Sequence, residues 1–229
     1  MNADSVAEYV INSSLSLLKN VPLMHQETFL GNWPRTSLSS RELNGKIFGL
    51  MGFGLIAKKV STLAKIFNAH IIAYDPFIDS SIANKFNIKL VDMHEIFEKA
   101  DVISIHLPLT PTTKGLLNYD AFTKMQKQPI IINSSRGSII NEDDLLRAYD
   151  EKLISGFALD VYETEPAPKI FLNSIKDNTN FNIDLEFDPT VFASIWGLNN
   201  IHPLDIFEDI DLNQPPLSSG LKKLILQLD

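Results

Sequence analysis

Gly52-Phe53-Gly54-Leu55-Ile56-Ala57 is a GxGxxA turn, and its residue types suit the holding of a phosphate. Glycine at Gly52 allows a tight turn, and a side chain at Gly54 would keep the backbone away from a pyrophosphate. The helix that follows starts with N–H groups that have no intrahelical partner, and its dipole adds partial positive charge there. Ala57 is small enough for close helix–strand packing. Asp75 lies 23 residues after Gly52, between Tyr74 and Pro76. That is where an acid accepting ribose hydroxyls belongs in such a unit, and it would repel a 2′-phosphate. No Arg or Lys occurs in Pro76-Phe77-Ile78-Asp79-Ser80-Ser81. The pattern therefore favours NAD(H) over NADP(H). Glycines also mark ordinary turns; the strand before, the helix after and the acid beyond carry the dinucleotide reading.

Further polar groups follow other apolar runs. His106, Leu107 and Pro108 close one run, Asn133-Ser134-Ser135-Arg136 another, and Asp160 a third. Arginine presents a planar fork that can bind a carboxylate. Taken alone, though, Arg136 is also what a solvated loop carries, His106 what a hydrogen-bonded strand end carries, and Glu163 and Glu165 two exposed acids before a proline. The histidines His25, His70, His94, His106 and His202 stand singly, without metal-ligand spacing. With no cysteine there is no disulfide, thiolate metal site or cysteine nucleophile, and no metal is expected.

These groups need a scaffold, and hydrophobic periodicity predicts one. Lys46 to Met51 is of strand length; Leu55, Ile56, Val60, Leu63, Ala64 and Phe67 recur at helical spacing; Ile71-Ile72-Ala73-Tyr74 is a second buried strand. Asp4 or Ser5 can cap an opening helix carrying Val6, Val10, Leu15 and Leu18, followed by a long connection through Gly31-Asn32-Trp33-Pro34 and a polar stretch from Thr36 to Asn44. Short helices are expected over 80–86, 93–99 and 119–125, strands over 88–91, 100–106, 130–133 and 156–160, and a helix over 142–150 behind the cap Asn141. Strands alternating with helices predict an α/β, doubly wound parallel sheet, whose ligands sit at the carboxyl ends of the strands. Asp75, His106, Asn133 to Arg136 and Asp160 all fall at such ends. Past Pro166 the pattern fades. The expected division is 1–30 for the opening helix and linker, 31–166 for the dinucleotide-binding domain and 167–229 for a divergent tail.

Composition narrows the function classes. A formal charge of −8 and the lack of a basic run argue against nucleic acid or an anionic membrane surface as partner. No apolar run approaches 18 residues and no secretion signal opens the chain, so the cytoplasm is expected.

The motifs resemble those of the D-isomer-specific 2-hydroxyacid dehydrogenases, a family that includes phosphoglycerate, glycerate, D-lactate and formate dehydrogenases. The resemblance runs from about Ser5 to Pro166. It is carried by Ser5-Val6-Ala7-Glu8, Gly31-Asn32-Trp33, Leu43-Asn44-Gly45-Lys46 before the glycine turn, and Tyr74-Asp75-Pro76. More specific are Ala100 to Pro108 with Thr113-Lys114-Gly115-Leu116, the arginine motif Ile132-Asn133-Ser134-Ser135-Arg136-Gly137, and the glutamate motif Ala158 to Pro166. It implies a Rossmann-like NAD-binding domain and hydride transfer between nicotinamide C4 and C2 of a 2-keto or 2-hydroxy acid. Arg136 would anchor the substrate, and Glu165 would raise the pKa of a histidine acid. Asp160 would bind the nicotinamide carboxamide, Ser134 and Ser135 would line its pocket, and His106, Leu107, Pro108 and Thr113 would flank the adenosine half. Relatives pair through their cofactor domains, so a homodimer is implied, with the helix from Asp4 to Lys19 and the Gly31–Trp33 loop as its surface.

Two departures qualify the resemblance. The substrate-domain segment that precedes the opening helix in the family has no residues here, which removes one wall of the cleft. Where a Thr-Pro-His motif is expected, Pro189-Thr190-Val191-Phe192-Ala193-Ser194 runs into Ile195-Trp196-Gly197, leaving His202 as the default acid in an unsuited context. Gln128 stands where a turn glycine is usual. The expected activity is NAD-dependent 2-hydroxyacid dehydrogenation. The alternative is a catalytically impaired NAD(H)-binding module, or a remnant shortened by truncation and a shifted frame, with a sensing or protein-contact role.

Overall fold

Six apolar runs become strands: Ile47–Met51 (β1), His70–Tyr74 (β2), Lys89–Leu90 (β3), Val102–Ile105 (β4), Ile130–Asn133 (β5) and Gly156–Leu159 (β6). In the computed structural model, which describes residues 3–33, 40–167 and 171, they form one sheet in the order β3-β2-β1-β4-β5-β6. Every neighbouring pair is parallel. β4 and β5 are buried throughout, as befits a parallel sheet covered on both faces. The helices are Ala3–Leu18 (α1), Val21–Phe29 (α2), Leu55–Ile66 (α3), Ser80–Asn84 (α4), Met93–Lys99 (α5), Tyr119–Thr123 (α6) and Glu142–Asp150 (α7). No described helix is long and apolar enough to cross a membrane.

Local chemistry sets the boundaries. Asp79, Asp92, Asn118 and Asn141 each accept a backbone N–H from the first turn of α4, α5, α6 and α7. Gln128 takes the left-handed φ of 48° that a turn glycine would adopt. Asp101 ties the far end of the sheet: its Oδ2 accepts the Ile47 N–H at 2.9 Å, and Lys46 Nζ lies 3.3 Å from Oδ1.

One helix was not expected. α2 falls within the predicted connection, begins at Val21 with Pro22 in its first turn, and buries no residue. Without a buried face it lacks the apolar periodicity that betrays a helix in sequence. The opening helix forms as expected. α1 packs along α3 and reaches β5 and β6, burying Ala7, Val10, Ile11 and Leu18. Burial of each larger side chain is worth about 1.5–3 kcal/mol. Part of its apolar face is therefore spent on its own sheet, while Val6 and Leu15 stay half-buried. On the sheet's α5–α7 side, Met51, Ile103, Ile105 and Ile131 share a core with Ile96, Phe122, Leu145 and their neighbours.

Strand register places the ends of five strands in one row. Tyr74 pairs with Met51, Met51 with Ile105, Ile105 with Asn133, and Asn133 with Leu159. Each following residue therefore emerges on the same edge: Asp75, Gly52, His106, Ser134 and Asp160. The strand order reverses between β1 and β4, and the crevice at such a reversal is where open α/β sheets bind ligands.

Candidate cofactor site

Gly52 is required by the protein's own backbone. It has φ of 93°, its N–H donates to Tyr74 O at 2.7 Å, and a Cβ there would lie 2.7 Å from His106 O. Gly54 is different. Its φ of −79° suits any residue, and a Cβ would meet nothing within 4 Å. Nothing in the folded chain demands glycine at this position, so the open space above it fits close approach by a ligand. Gly54 is the N-cap of α3 with no side-chain cap, and no acid lies in the first turn. The N–H groups of Leu55, Ile56 and Ala57 thus start the helix without intrahelical partners.

Asp75 is held from both sides. Its Oδ2 accepts the Phe53 N–H at 2.8 Å and its Oδ1 the Phe77 N–H at 2.9 Å. The carboxylate is thereby oriented beside the turn. Phe77 is 93 % exposed. Lys58, unnoticed in sequence, stands with Nζ 5.9 Å from the Phe53 ring centre and 5.7 Å from that of Phe86. It is a cation close to the turn that the stretch after Asp75 does not reveal.

Across the crevice, His106 Nε2 lies 3.0 Å from Ser104 Oγ. Burial pushes its pKa down to about 4, so the ring is neutral at pH 7. Leu107 is buried, and Thr113 Oγ1 donates to Pro108 O at 2.6 Å, closing the loop on that side.

The arginine loop is shaped by Asn133. Its Nδ2 donates to Arg136 O at 2.9 Å, while its Oδ1 accepts from Ser135 N at 3.1 Å and Ser135 Oγ at 2.9 Å. The Ser135 hydroxyl is thereby engaged within the loop. Ser134 is 4 % exposed, and its Oγ is buried without a partner among the described residues. Buried polar atoms are normally hydrogen-bonded, so this hydroxyl is a donor awaiting an acceptor. The exposed Arg136 donates through Nη1 to Ser135 O at 2.6 Å and forms no ion pair with a described residue.

The turn after β6 closes the row. Asp160 N donates to Asn133 O at 2.9 Å. Burial, and then Glu165, push the Asp160 carboxyl up to about 6. Glu165 Oε1 accepts from Tyr162 N at 3.2 Å. Tyr9 of α1, a residue no motif marks, is also drawn to this end: its phenol is raised by burial and then by Asp160, with the Ser13 hydroxyl opposing the shift. No cluster of three potential ligands for a metal ion occurs among the described residues. His202 and the 189–194 segment lie outside them.

The site residues fit a dinucleotide. Gly54 leaves room for a pyrophosphate, the α3 start offers N–H donors, Asp75 offers an oriented acceptor, and Ser134 offers an unused hydroxyl near Asp160. The family model described as "D-isomer specific 2-hydroxyacid dehydrogenase, NAD binding domain" matches residues 11–180. D-3-phosphoglycerate dehydrogenase of Methanocaldococcus jannaschii is 36% identical over 181 residues, 79% of this chain and 33% of that protein. The Bacillus subtilis enzyme of the same name is 36% identical over 72% of this chain and 31% of its own length. Among solved structures, an NAD-dependent formate dehydrogenase from Staphylococcus aureus in complex with NAD matches with a TM-score of 0.68 and 34% identity, covering 73% of this chain and 50% of that one. D-lactate dehydrogenase from Escherichia coli matches with a TM-score of 0.68 and 31% identity, over 75% and 54%. The chain spans about a third of the length of these phosphoglycerate dehydrogenases and about half of these solved structures.

Proposed function

We propose that this chain, which belongs to the D-isomer specific 2-hydroxyacid dehydrogenases by its NAD-binding domain, binds NAD(H) in preference to NADP(H) and presents the nicotinamide to a 2-keto or 2-hydroxy acid beside Arg136. The observation that carries this reading is the Asp75 carboxylate held by Phe53 N at the glycine turn, in one row with Ser134 and Asp160.

Each residue's part follows from its chemistry. The α3 N-terminus takes the pyrophosphate and Asp75 the adenosine ribose, while Ser134 donates to and Asp160 accepts from the nicotinamide carboxamide. The guanidinium of Arg136 keeps donors beyond the one spent on Ser135 O, enough for a substrate carboxylate. Bound NADH supplies the hydride that converts a 2-keto acid to the 2-hydroxy acid, with a proton from an acid group. Glu165 is the carboxylate suited to orient a protonated histidine. His202 is the default donor.

A second reading, a module that binds NAD(H) without turnover, is favoured by one observation: Arg136 donates to Ser135 O and Glu165 accepts from Tyr162 N, so both groups are engaged within their own loops. We further assign homodimer formation to α2 and Trp33. A nine-residue helix that buries nothing is marginal on its own, and Phe29 at 69 % and Trp33 at 78 % exposure lie at its end.

Fluorescence titration tests the main reading, with NADH expected to bind more tightly than NADPH; equal or tighter NADPH binding overturns it. NADH oxidation with glyoxylate, hydroxypyruvate and pyruvate separates the two functional readings. Turnover abolished by Arg136→Ala and His202→Ala establishes the dehydrogenase. Cofactor binding with no turnover establishes the binding module.

A further inference from the structure

The turn after β6 is clamped onto the arginine loop from two directions. From one side, a Cβ on Gly137 would come 1.8 Å from Tyr162 O and 2.5 Å from Glu163 N, so the backbone of the turn lies directly on this glycine. From the other, Glu142 at the start of α7 reaches back: its Oε1 accepts the Glu163 N–H at 2.5 Å. Glu142 is only 8 % exposed, and its carboxyl is raised, first by burial. The residue is not needed to cap α7, because Asn141 Oδ1 already accepts the Asp144 N–H at 2.9 Å. A carboxylate has been taken out of water to hold one backbone N–H, and that N–H belongs to the turn carrying Asp160 and Glu165.

We propose that Glu142 is a positioning residue for the nicotinamide half of the cofactor site, its carboxylate fixing the Asp160–Glu165 turn against the Ser134–Arg136 loop through Glu163 N–H. The inference rests on the NAD(H) reading above. Asp160 and Ser134 emerge from different strands and meet the same small group, so the separation of the two loops decides whether both hydrogen bonds form. At the root of the loops, Asp160 N bonds Asn133 O. Farther out, Gly137 supplies contact and Glu142 supplies the directional bond. A displacement of about 1 Å is enough to lose well-aligned contacts. The adenosine half sits elsewhere in the sheet order, at the ends of β1 and β2, and does not depend on this clamp.

The test is to titrate NADH and ADP-ribose, which lacks the nicotinamide, into the full chain and its variants. The wild type is expected to bind NADH more tightly than ADP-ribose. Glu142→Ala and Glu142→Asp, the latter keeping the charge but falling short of Glu163 N, should weaken NADH about tenfold and leave ADP-ribose within about twofold. Glu142→Gln should stay within a few-fold of wild type for both, because its amide oxygen can still accept. Should the alanine variant fail to fold, the aspartate variant gives the same comparison. Equal loss of both ligands, an unchanged NADH affinity in the aspartate variant, or a glutamine variant as weak as alanine would overturn the proposal. A wild type that binds neither ligand would instead overturn the NAD(H) reading, and the clamp with it; one that binds both equally would overturn the clamp alone.

Discussion

The Asp75 carboxylate accepts the backbone N–H of Phe53 at 2.8 Å, so the acid at the end of β2 also braces the glycine turn at the end of β1. On the proposed reading the same side chain would also meet the ribose, so its removal should have two consequences. Asp75→Ala should weaken NADH and narrow its advantage over NADPH. It should also lower stability by about 1–3 kcal/mol, since the Phe53 N–H loses its charged acceptor. Cofactor titration and thermal melting read the two effects separately; a variant that melts like wild type would mean that Asp75 does not brace the turn.

The two glycines of the turn should behave oppositely. Gly52→Ala places a Cβ 2.7 Å from His106 O at φ of 93°, and is expected to destabilise the fold. Gly54→Ala meets nothing within 4 Å and should leave the melting temperature nearly unchanged while cofactor affinity falls sharply. Unimpaired NADH binding by the folded Gly54→Ala protein would sink the placement of the pyrophosphate.

Stability should depend on pH through two groups that pull in opposite directions. Asp160, raised to about 6 from 3.8, binds its proton more tightly when folded; its contribution is present below about 4 and is lost as pH rises to about 6. His106, lowered to about 4 from 6.5, behaves in the reverse sense; its contribution is full above 6.5 and is lost as pH falls to about 4. Relative to wild type, Asp160→Asn should therefore gain more stability between pH 4 and 6.5, and His106→Gln should gain less. Melting curves that shift in parallel for both variants would exclude this origin.

If the chain forms the proposed homodimer through α2 and Trp33, exposed apolar side chains there should carry it. Trp33→Glu together with Phe29→Glu should turn a dimer into a folded monomer in sedimentation, because neither side chain contributes to the buried core. Persistence of the dimer would move the interface elsewhere, and a monomeric wild type at micromolar concentration would remove it.

Much of the fold was legible in the sequence because it rests on local signals. The GxGxxA turn, the acid 23 residues later and the caps Asp79, Asp92, Asn118 and Asn141 act on neighbours a few residues away, and buried parallel strands are apolar along their whole length. The alternation of strand and helix then leaves little choice but a doubly wound sheet, whose strand ends carry the polar groups. Other features needed the folded chain. α2 buries nothing and so leaves no periodic trace. The two glycines of the turn look alike in sequence, yet the His106 backbone just past β4 beside Gly52, and nothing beside Gly54, separates a structural glycine from one that leaves space for a ligand. Ser134 and Ser135 are equivalent by type, and only the Asn133 side chain decides which hydroxyl remains unspent. Tyr9 feels the charge of Asp160, and Glu142 meets Glu163, because the packing brings α1, β5, β6 and the start of α7 to one place. Sequence periodicity records which face of an element is buried; which residues from distant elements share that burial is decided by the packing of the sheet.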